Sequence, residues 1–267
     1  MSIVKDPLII VSDDFKLGSR SERFLIKVSE TSNEVAAVSV SAILIYSLRG
    51  SVTLSALRLA ERHSLPIVLL EYSSERVIPL VRSRKKGPIE ELMGRFESWK
   101  REEIKRAILN SYKEGMQSLS RLYDLNGLKE DPERVVMTNL GEGAVKAIRQ
   151  LRLLLWGELC ARMLALGLDP HIGLWMIEEL GFVKELSLVF QPLVVYAPVI
   201  GKGFRCEEVS SEERRKLALE YDKIMREEYY NPKLSRKVRI RDQLVHECIS
   251  LIQALRGSPL GYSPFRW

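Results

Sequence analysis

Cysteine and histidine are both scarce in this chain of 267 residues, which has three of each. The cysteines, Cys160, Cys206 and Cys248, are odd in number and widely spaced, which argues against a disulfide framework and against a zinc site of the Cys-x-x-Cys kind. The N-terminal stretch has too short an apolar run for a signal peptide. The sequence has no uncharged apolar run of about 18 residues, so it predicts no membrane span. We therefore expect a cytoplasmic protein of a reducing compartment, without membrane attachment.

The charge balance is basic, with 41 Lys and Arg against 35 Asp and Glu and a formal net charge of +6. A basic surface makes a nucleic acid or another polyanion a plausible partner, without proving one. Apolar residues make up 46% of the chain, enough for a sizeable core.

The first 80 residues have the composition of short β-strands, because runs rich in Val, Ile and Leu alternate with Gly, Ser, Asn and Asp. One stretch, 53–64, has leucines at helical spacing and predicts a single short helix. The strands are predicted at 8–12, 23–29, 35–40, 42–46, 66–72 and 76–81.

From about residue 89 the apolar residues recur with the period of helices, and we predict helices over 89–123, 131–140, 142–166, 210–230 and 236–257. The change of period falls at the basic stretch 81–88, which ends in the breaker Gly87-Pro88. The sequence therefore predicts an α+β protein with a small N-terminal β-sheet domain, a basic linker and a larger all-α domain. The predicted ranges are 1–80, 81–88 and 89–267.

The stretch "GLDPHIGLWMIEELG", residues 167–181, is typical of a turn between two helices. Gly167 suits the left-handed position that closes a helix. Asp169 can cap the next helix, with Pro170 in its first turn. This interpretation places Met176 one and a half turns into that helix.

Five segments in this order resemble the CRISPR-associated spacer integrase family, the first-numbered Cas protein. The turn "GLDPHIG" (167–173) is the most specific of the five, and no single segment is decisive. The others are "GSVTLSALRLAERHSLPIVLL" (50–70), "GEGAVKAI" (141–148), "SLVFQPLVVYAP" (187–198) and "IRDQLVHECISLIQALRGSPLGYSPF" (240–265).

The resemblance implies a homodimer, with dimerisation through the N-terminal β domain, that binds DNA duplex ends and branched DNA. It implies insertion of short DNA fragments into a repeat array by metal-dependent strand transfer, usually with a small second Cas protein. It also implies three metal ligands in the α domain, namely a Glu, a His and an Asp.

Carried over residue by residue, the resemblance places the Glu at Glu142, the His position at Met176 and the Asp position at Gln191. Mg²⁺ and Mn²⁺ prefer hard oxygen ligands, and Mn²⁺ also accepts imidazole. A thioether is a poor ligand for either ion, and a Gln carbonyl brings no charge. We therefore expect Mg²⁺ or Mn²⁺ to bind weakly or not at all, and the family's endonuclease or integrase activity to be impaired.

Each of these positions also has a structural interpretation. Met176 is typical of a residue that fills a core, Gln191 of a polar residue at a helix start, and Glu142 of a first-turn acid favoured by the helix dipole. Glu179, three residues after Met176 on the predicted helix, would face the same way and offers a substitute ligand. A rebuilt metal site with Glu142 and Glu179 is the alternative, and a solvated helix end is the other interpretation of Glu179.

DNA binding does not need the metal, because Lys and Arg on phosphates supply most of the affinity. Two stretches are candidates, and Tyr229 and Tyr230 beside the second could stack on bases. A solvated basic linker and helix start is the alternative interpretation. The candidate residues are Arg82, Arg84, Lys85 and Lys86 in the first stretch, and Lys233, Arg236, Lys237, Arg239 and Arg241 in the second.

The sequence thus favours a DNA-binding, dimeric and catalytically impaired subunit of CRISPR spacer acquisition, which works with other CRISPR-associated proteins or an active paralogue. The first alternative is an active metal-dependent DNA endonuclease or integrase that uses Glu142 with substitute ligands. The second is a basic surface that serves RNA or a protein partner.

Overall fold

The computed structural model describes residues 5–81, 98–176, 178–231, 234–256 and 261–265. Within these ranges the α+β class is confirmed, with most strands before residue 82 and most helices after residue 97. The basic stretch 82–88 and the start of the helix predicted over 89–123 lie outside the described residues.

The N-terminal part contains two four-stranded sheets. Its strands are β1 (Leu8–Ile10), β2 (Phe15–Arg20), β3 (Arg23–Val28), β4 (Thr31–Ala36), β5 (Ile43–Tyr46), β6 (Ser51–Val52), β7 (Ile67–Glu71) and β8 (Arg76–Val81). The first sheet has the order β1-β5-β7-β8, with β1, β5 and β7 parallel and β8 antiparallel. The second has the order β4-β3-β2-β6, and only its β2–β6 pair is parallel.

The strand prediction missed β2 and the two-residue strand β6, and it misplaced β4. Strand β2 was missed because Lys16, Gly18 and Arg20 alternate with its inward residues, which leaves no continuous apolar run. The strand predicted over 35–40 lies four residues earlier, at β4, and a 3₁₀ turn (Ala37–Ser39) follows it. The short helix α1 (Leu54–Arg62) is confirmed, and the hydroxyl of Thr53 caps it by accepting the Ala56 N–H at 3.3 Å.

The first sheet is buried on both faces. Ile43 and Ile45 pack into a small core with α1 and the second sheet, whereas Leu44 and Tyr46, which alternate with them, pack into the large core of the helical part. Strands covered on both sides are continuously apolar, as β5 is. This sheet therefore joins the N-terminal strands to the helices.

The helical part follows. Its helices are α2 (Ser98–Tyr123), α3 (Pro132–Leu140), α4 (Glu142–Ala165), α5 (Gly181–Ser187), a π-helical stretch (Pro192–Tyr196) continued by α6 (Ala197–Gly201), α7 (Ser211–Arg226) and α8 (Ile240–Leu255). The long helix α4 is predominantly buried and lies at the centre, as its apolar second half predicts.

Side chains cap the first turns of two helices in this part. Asp131 caps α3 by accepting the Arg134 N–H at 3.2 Å, with Pro132 in the first turn. Ser210 caps α7 by accepting the Glu213 N–H at 3.3 Å. The Glu213 carboxylate does not complete a capping box but accepts the backbone N–H of the preceding loop residues Glu207 and Glu208.

The predicted ends of the last two helices were wrong. Helix α7 ends at Arg226 and α8 begins only at Ile240. Between them the chain forms an antiparallel hairpin of β9 (Glu228–Asn231) and β10 (Arg236–Arg239). The basic stretch is therefore a β-hairpin and not the junction of two helices.

A buried charged cluster around Glu158 ties α4 to α7 and α8. The fully buried Glu158 carboxylate accepts hydrogen bonds from Arg241 Nε at 2.9 Å, Arg162 Nη2 at 3.1 Å and the Tyr221 hydroxyl at 3.1 Å. Burial opposes ionisation of this carboxyl group, but Arg241 and Arg162 hold its pKa below the usual range. Glu158 is therefore a charged member of the core.

Arg214 connects α7 to the N-terminal strands. Its side chain is fully buried, donates to the Tyr46 carbonyl at 3.0 Å and pairs with Asp13. The guanidinium carbon lies 3.9 Å from the centre of the Tyr72 ring and 5.6 Å from that of Tyr46. This residue fixes the helical part against β5.

Within the described ranges, no helix by itself has the length and apolar composition to span a membrane. Only α5 and the Pro192–Gly201 stretch, bent by 73° with respect to each other, meet those criteria when taken together.

Candidate functional site

Residues 168–180 connect α4 to α5, and in the described part of this segment they do not form the predicted helix. Gly167 closes α4 with a φ of 76°, as expected. Asp169 does not cap a helix, because its carboxylate accepts the His171 N–H at 3.0 Å within a turn. The placement of Met176 one and a half turns into a helix was therefore wrong.

The physical reason is the carboxylate of Glu185 in α5. It accepts three consecutive backbone N–H groups, from Leu174 at 2.7 Å and from Trp175 and Met176 at 2.6 Å each. In a helix these N–H groups would point along the axis, whereas here they converge on the two carboxylate oxygens of Glu185. Burial raises the pKa of Glu185, and the three N–H bonds oppose that rise.

Close backbone packing also fixes Met176. A Cβ at Gly173 or Gly181 would lie 2.3 or 2.2 Å from the Met176 carbonyl oxygen, so only glycine fits at either position. The backbones of Gly173 and Gly181 thus pack directly against the backbone of Met176, the position where the resemblance places a metal ligand.

Gln191 lies directly before the Pro192–Tyr196 stretch, and its side chain is engaged in the core. The residue is 6% exposed, and Nε2 donates to the Ser187 hydroxyl at 3.1 Å. The same hydroxyl accepts the Trp156 Nε1–H at 3.0 Å and donates to the Lys184 carbonyl at 2.7 Å. Gln191 is therefore part of a structural hydrogen-bond network.

Glu142 is far from this network. It is the first residue of α4, and its side chain is 70% exposed and pairs with Lys146 Nζ at 3.1 Å. Trp156, which shares the Ser187 hydroxyl with Gln191, follows Glu142 by 14 residues, a rise of about 21 Å along the helix axis. The structure does not bring Glu142 and Gln191 together.

Glu179 does not rebuild the site. Its side chain is 53% exposed and lies 3.5 Å from Arg76 Nη2. Among the described residues, no three His, Cys, Asp or Glu side chains lie close enough together to hold a metal ion. The residues at the three carried-over ligand positions do not fit Mg²⁺ or Mn²⁺. They are a remote exposed Glu, a thioether and a buried amide that is already in a hydrogen bond.

A second Glu-Gly pair, Glu114–Gly115, was missed by the sequence reasoning, although the same dipeptide marked Glu142. It lies in α2, which packs against the Pro192–Tyr196 stretch that follows Gln191. Glu114 is exposed. Both Glu-Gly pairs therefore have to be tested as the source of the family's Glu.

Two of the nine basic candidates are engaged by acidic side chains of this chain. Arg241 is fully buried and bonded to Glu158, Asp222 and Asp6. Arg239 is 21% exposed and pairs with Asp242 and Asp6. Because a buried cation needs an acidic partner, the Arg241 guanidinium serves the core, and the half-buried Arg239 guanidinium is held by two carboxylates.

The remaining candidates fall into two groups. Arg236 and Lys237 lie on β10, and Lys237 is exposed. The hairpin register places Lys237 directly opposite Tyr230, whose side chain is 59% exposed. Tyr229 faces the other way and donates its hydroxyl to Glu227 at 3.2 Å. The others, Arg82, Arg84, Lys85, Lys86 and Lys233, lie outside the described residues.

Comparison with known proteins identifies the fold. No family model and no curated protein matches the sequence. A casposase bound to its integration product matches 97% of this chain and 92% of its own, with a TM-score of 0.73 and 16% identity. The chain thus shares its fold with this casposase over nearly its whole length.

The particular fold is that of Cas1. A Cas1 protein from Thermotoga maritima matches 97% of this chain over 100% of its own, with a TM-score of 0.75 and 14% identity. A chain of a Cas6-RT-Cas1–Cas2 complex matches 96% of this chain with 35% of its own length, a TM-score of 0.71 and 13% identity. At these identities the likeness establishes the fold alone.

Proposed function

We propose that this chain is a diverged relative of the spacer-integrase family that binds DNA as a dimer in CRISPR adaptation and lacks strand-transfer activity. The fold similarity over nearly the whole chain supports the family relation. The solved relatives include a casposase with its integration product and a Cas1–DNA complex, which supports DNA as the partner. Other CRISPR-associated proteins are the expected protein partners, since one similar chain is part of a complex with Cas2.

The state of the ligand positions carries the proposal of inactivity. Met176 has its backbone held by Glu185, Gln191 is hydrogen-bonded inside the core, and Glu142 lies at the far end of α4. Strand transfer needs a divalent ion to stabilise charge on the attacking and leaving oxygens. Because the side chains at these three positions do not suit such an ion, they support no strand-transfer step.

We expect no strand transfer and no cleavage by the wild-type protein on a branched DNA substrate in Mn²⁺. The wild type, Glu142→Ala and Glu114→Ala should all remain at the rate of the protein-free control. A gel assay with end-labelled DNA measures this, with a strand-transferring casposase as the positive control. Manganese-dependent turnover that disappears in either Glu variant would show that the chain is an active enzyme.

The double variant Met176→His/Gln191→Asp makes the same assay more informative. Gln191→Asp removes the amide that donates to Ser187, so circular dichroism must first show that the variant folds. If the double variant gains activity, Glu114→Ala or Glu142→Ala in its background identifies the third ligand. Loss through Glu114→Ala alone would place the disabled centre beside α2.

DNA binding should persist and should depend steeply on salt. We expect Lys237→Gln to lower the slope of log K against log salt by about 0.9, the value for one lost phosphate contact. Fluorescence anisotropy with a branched DNA between low and moderate salt measures it, and sedimentation of the same sample gives the oligomeric state. Lys216→Gln is the matched control, since Lys216 is equally a surface lysine but pairs with Glu212 at 2.9 Å. Weak, salt-insensitive binding would instead favour a protein partner.

A further inference from the structure

The second sheet has one face in the core and one face in solvent. On β2 and β3 the inward residues Phe15, Leu17, Phe24 and Ile26 are buried in the small core. The residues that alternate with them form the face that we call the outer face. On these two strands it consists of Lys16, Gly18, Arg20, Arg23, Leu25 and Lys27.

The outer face carries two pairs of like charges in direct cross-strand register. Lys16 lies opposite Lys27, and Arg20 lies opposite Arg23. Like charges directly opposite each other in a sheet are destabilising. The hairpin therefore keeps a pattern of side chains that its own stability disfavours.

Acidic side chains do little to neutralise these charges. Arg23 pairs with Glu34 of β4 at 3.1 Å. Within the described part of the chain, Lys16, Arg20 and Lys27 form no ion pair, and all three are exposed. Glu22, in the turn that joins β2 to β3, is engaged by Arg62 and His63 of the α1 region instead. Among the described residues the face thus keeps a net positive charge that is available to an external polyanion.

The spacing of the charges suits a nucleic-acid backbone. Arg20 follows Lys16 by four positions, which is about 13 Å along the strand. This distance is close to the width of the major groove between its two phosphate rows, about 12 Å. Gly18 lies midway, where an added Cβ would meet no atom closer than 3.9 Å. The centre of the face thus carries no charge, because Gly18 lies opposite Leu25 between the two cationic pairs.

We propose that the outer face of this sheet binds the sugar–phosphate backbone of duplex DNA. The Lys16–Lys27 pair would contact one phosphate row and the Arg20–Arg23 pair the other. A second copy of this chain is a poorer occupant, because a two-fold contact would oppose cation to cation. The inference rests on the proposed DNA binding and adds a contact surface separate from the β9–β10 hairpin.

The test compares Lys16→Gln/Lys27→Gln with the matched control Lys216→Gln/Lys223→Gln on α7, whose lysines pair with Glu212 and Glu220. Binding of a duplex DNA about three helical turns long is followed by anisotropy over a salt series. The first variant should lower the salt slope by about 1.8, for two phosphate contacts, while the control leaves it unchanged. Because a like-charge pair is removed, the melting temperature of the first variant should rise and not fall.

The possible failures are distinguishable. If the wild type binds DNA and Lys16→Gln/Lys27→Gln binds with the same salt slope, this inference is overturned and the proposed function stands. If the wild type does not bind DNA at all, both fail. If the variant instead changes the monomer–dimer equilibrium in sedimentation, the outer face is an interface between copies. A lower melting temperature together with weaker binding would show that the lysines support the fold, which also contradicts the inference.

Discussion

Glu158→Gln should lower the free energy of unfolding by about 3–5 kcal/mol. The substitution preserves volume but leaves two buried guanidinium groups without their shared carboxylate. Among the described residues, Arg241 keeps Asp222 and Asp6, whereas Arg162 keeps the Lys5 carbonyl, at 3.0 Å. Urea unfolding at pH 7, followed by circular dichroism, measures the change.

Glu212→Gln is the control for this experiment. Glu212 also pairs with a cation four residues away, but its side chain is 78% exposed, so Glu212→Gln should leave the free energy of unfolding unchanged within error. Equal stabilities of the Glu158 variant and the wild type would contradict a charged core cluster.

The pH dependence adds a check on the charge of Glu158. Because the pKa of Glu158 is lower in the folded protein than in the unfolded chain, its stabilisation is present above about pH 4.3 and is lost as the pH falls through the folded-state pKa. The stability difference between wild type and variant should therefore be largest near neutral pH and shrink in acid. A difference that stays constant down to pH 3 would mean that Glu158 is not ionised.

Arg214→Met should cost about 2–4 kcal/mol, because it removes a buried hydrogen bond to the Tyr46 carbonyl and a cation–π contact with Tyr72. The effect should be concentrated where the helices meet the first sheet. Hydrogen exchange should speed up in β5 and α7 more than in the outer hairpin of β2 and β3. Urea unfolding supplies the total loss.

Arg215→Met is the matched control, because Arg215 is the next residue on the same helix and is exposed. Its loss should be within about 0.5 kcal/mol. If the two substitutions cost the same, the contact between α7 and β5 does not depend on the Arg214 guanidinium.

Local chemistry explains the parts of the fold that were predictable. The caps at Asp131 and Ser210 act within three residues, and the long apolar surface of α4 is a property of its own sequence. Strand β5 was recognisable because both of its faces are buried. The order of the resembling segments indicated the α+β fold, which the structural comparisons bear out.

The errors arose where a distant group overrides local preference. The Asp169-Pro170 pair is a good helix start, yet Glu185 in the next helix draws the N–H groups of residues 174–176 away from helical bonds. The basic stretch after α7 looked like the start of a helix, but cross-strand pairing from Glu228 to Arg239 makes it a hairpin. In both cases the deciding partner lies 5 to 11 residues away, beyond the three residues over which a helix cap acts.

The sequence by itself determined the basic character of the chain, the buried apolar helix α4 and the order of strands before helices, because these are properties of residue type and short-range spacing. The loss of hard ligands at positions 176 and 191 rests on the resemblance and stays a prediction. Tertiary structure alone decided which charges face solvent and which residues meet. Arg241 is a buried partner of Glu158, 83 residues away in the chain, because a core carboxylate must be neutralised. Glu142 and Gln191 stay apart because a rigid helix separates them, and Lys16 meets Lys27 because strand register places them opposite each other.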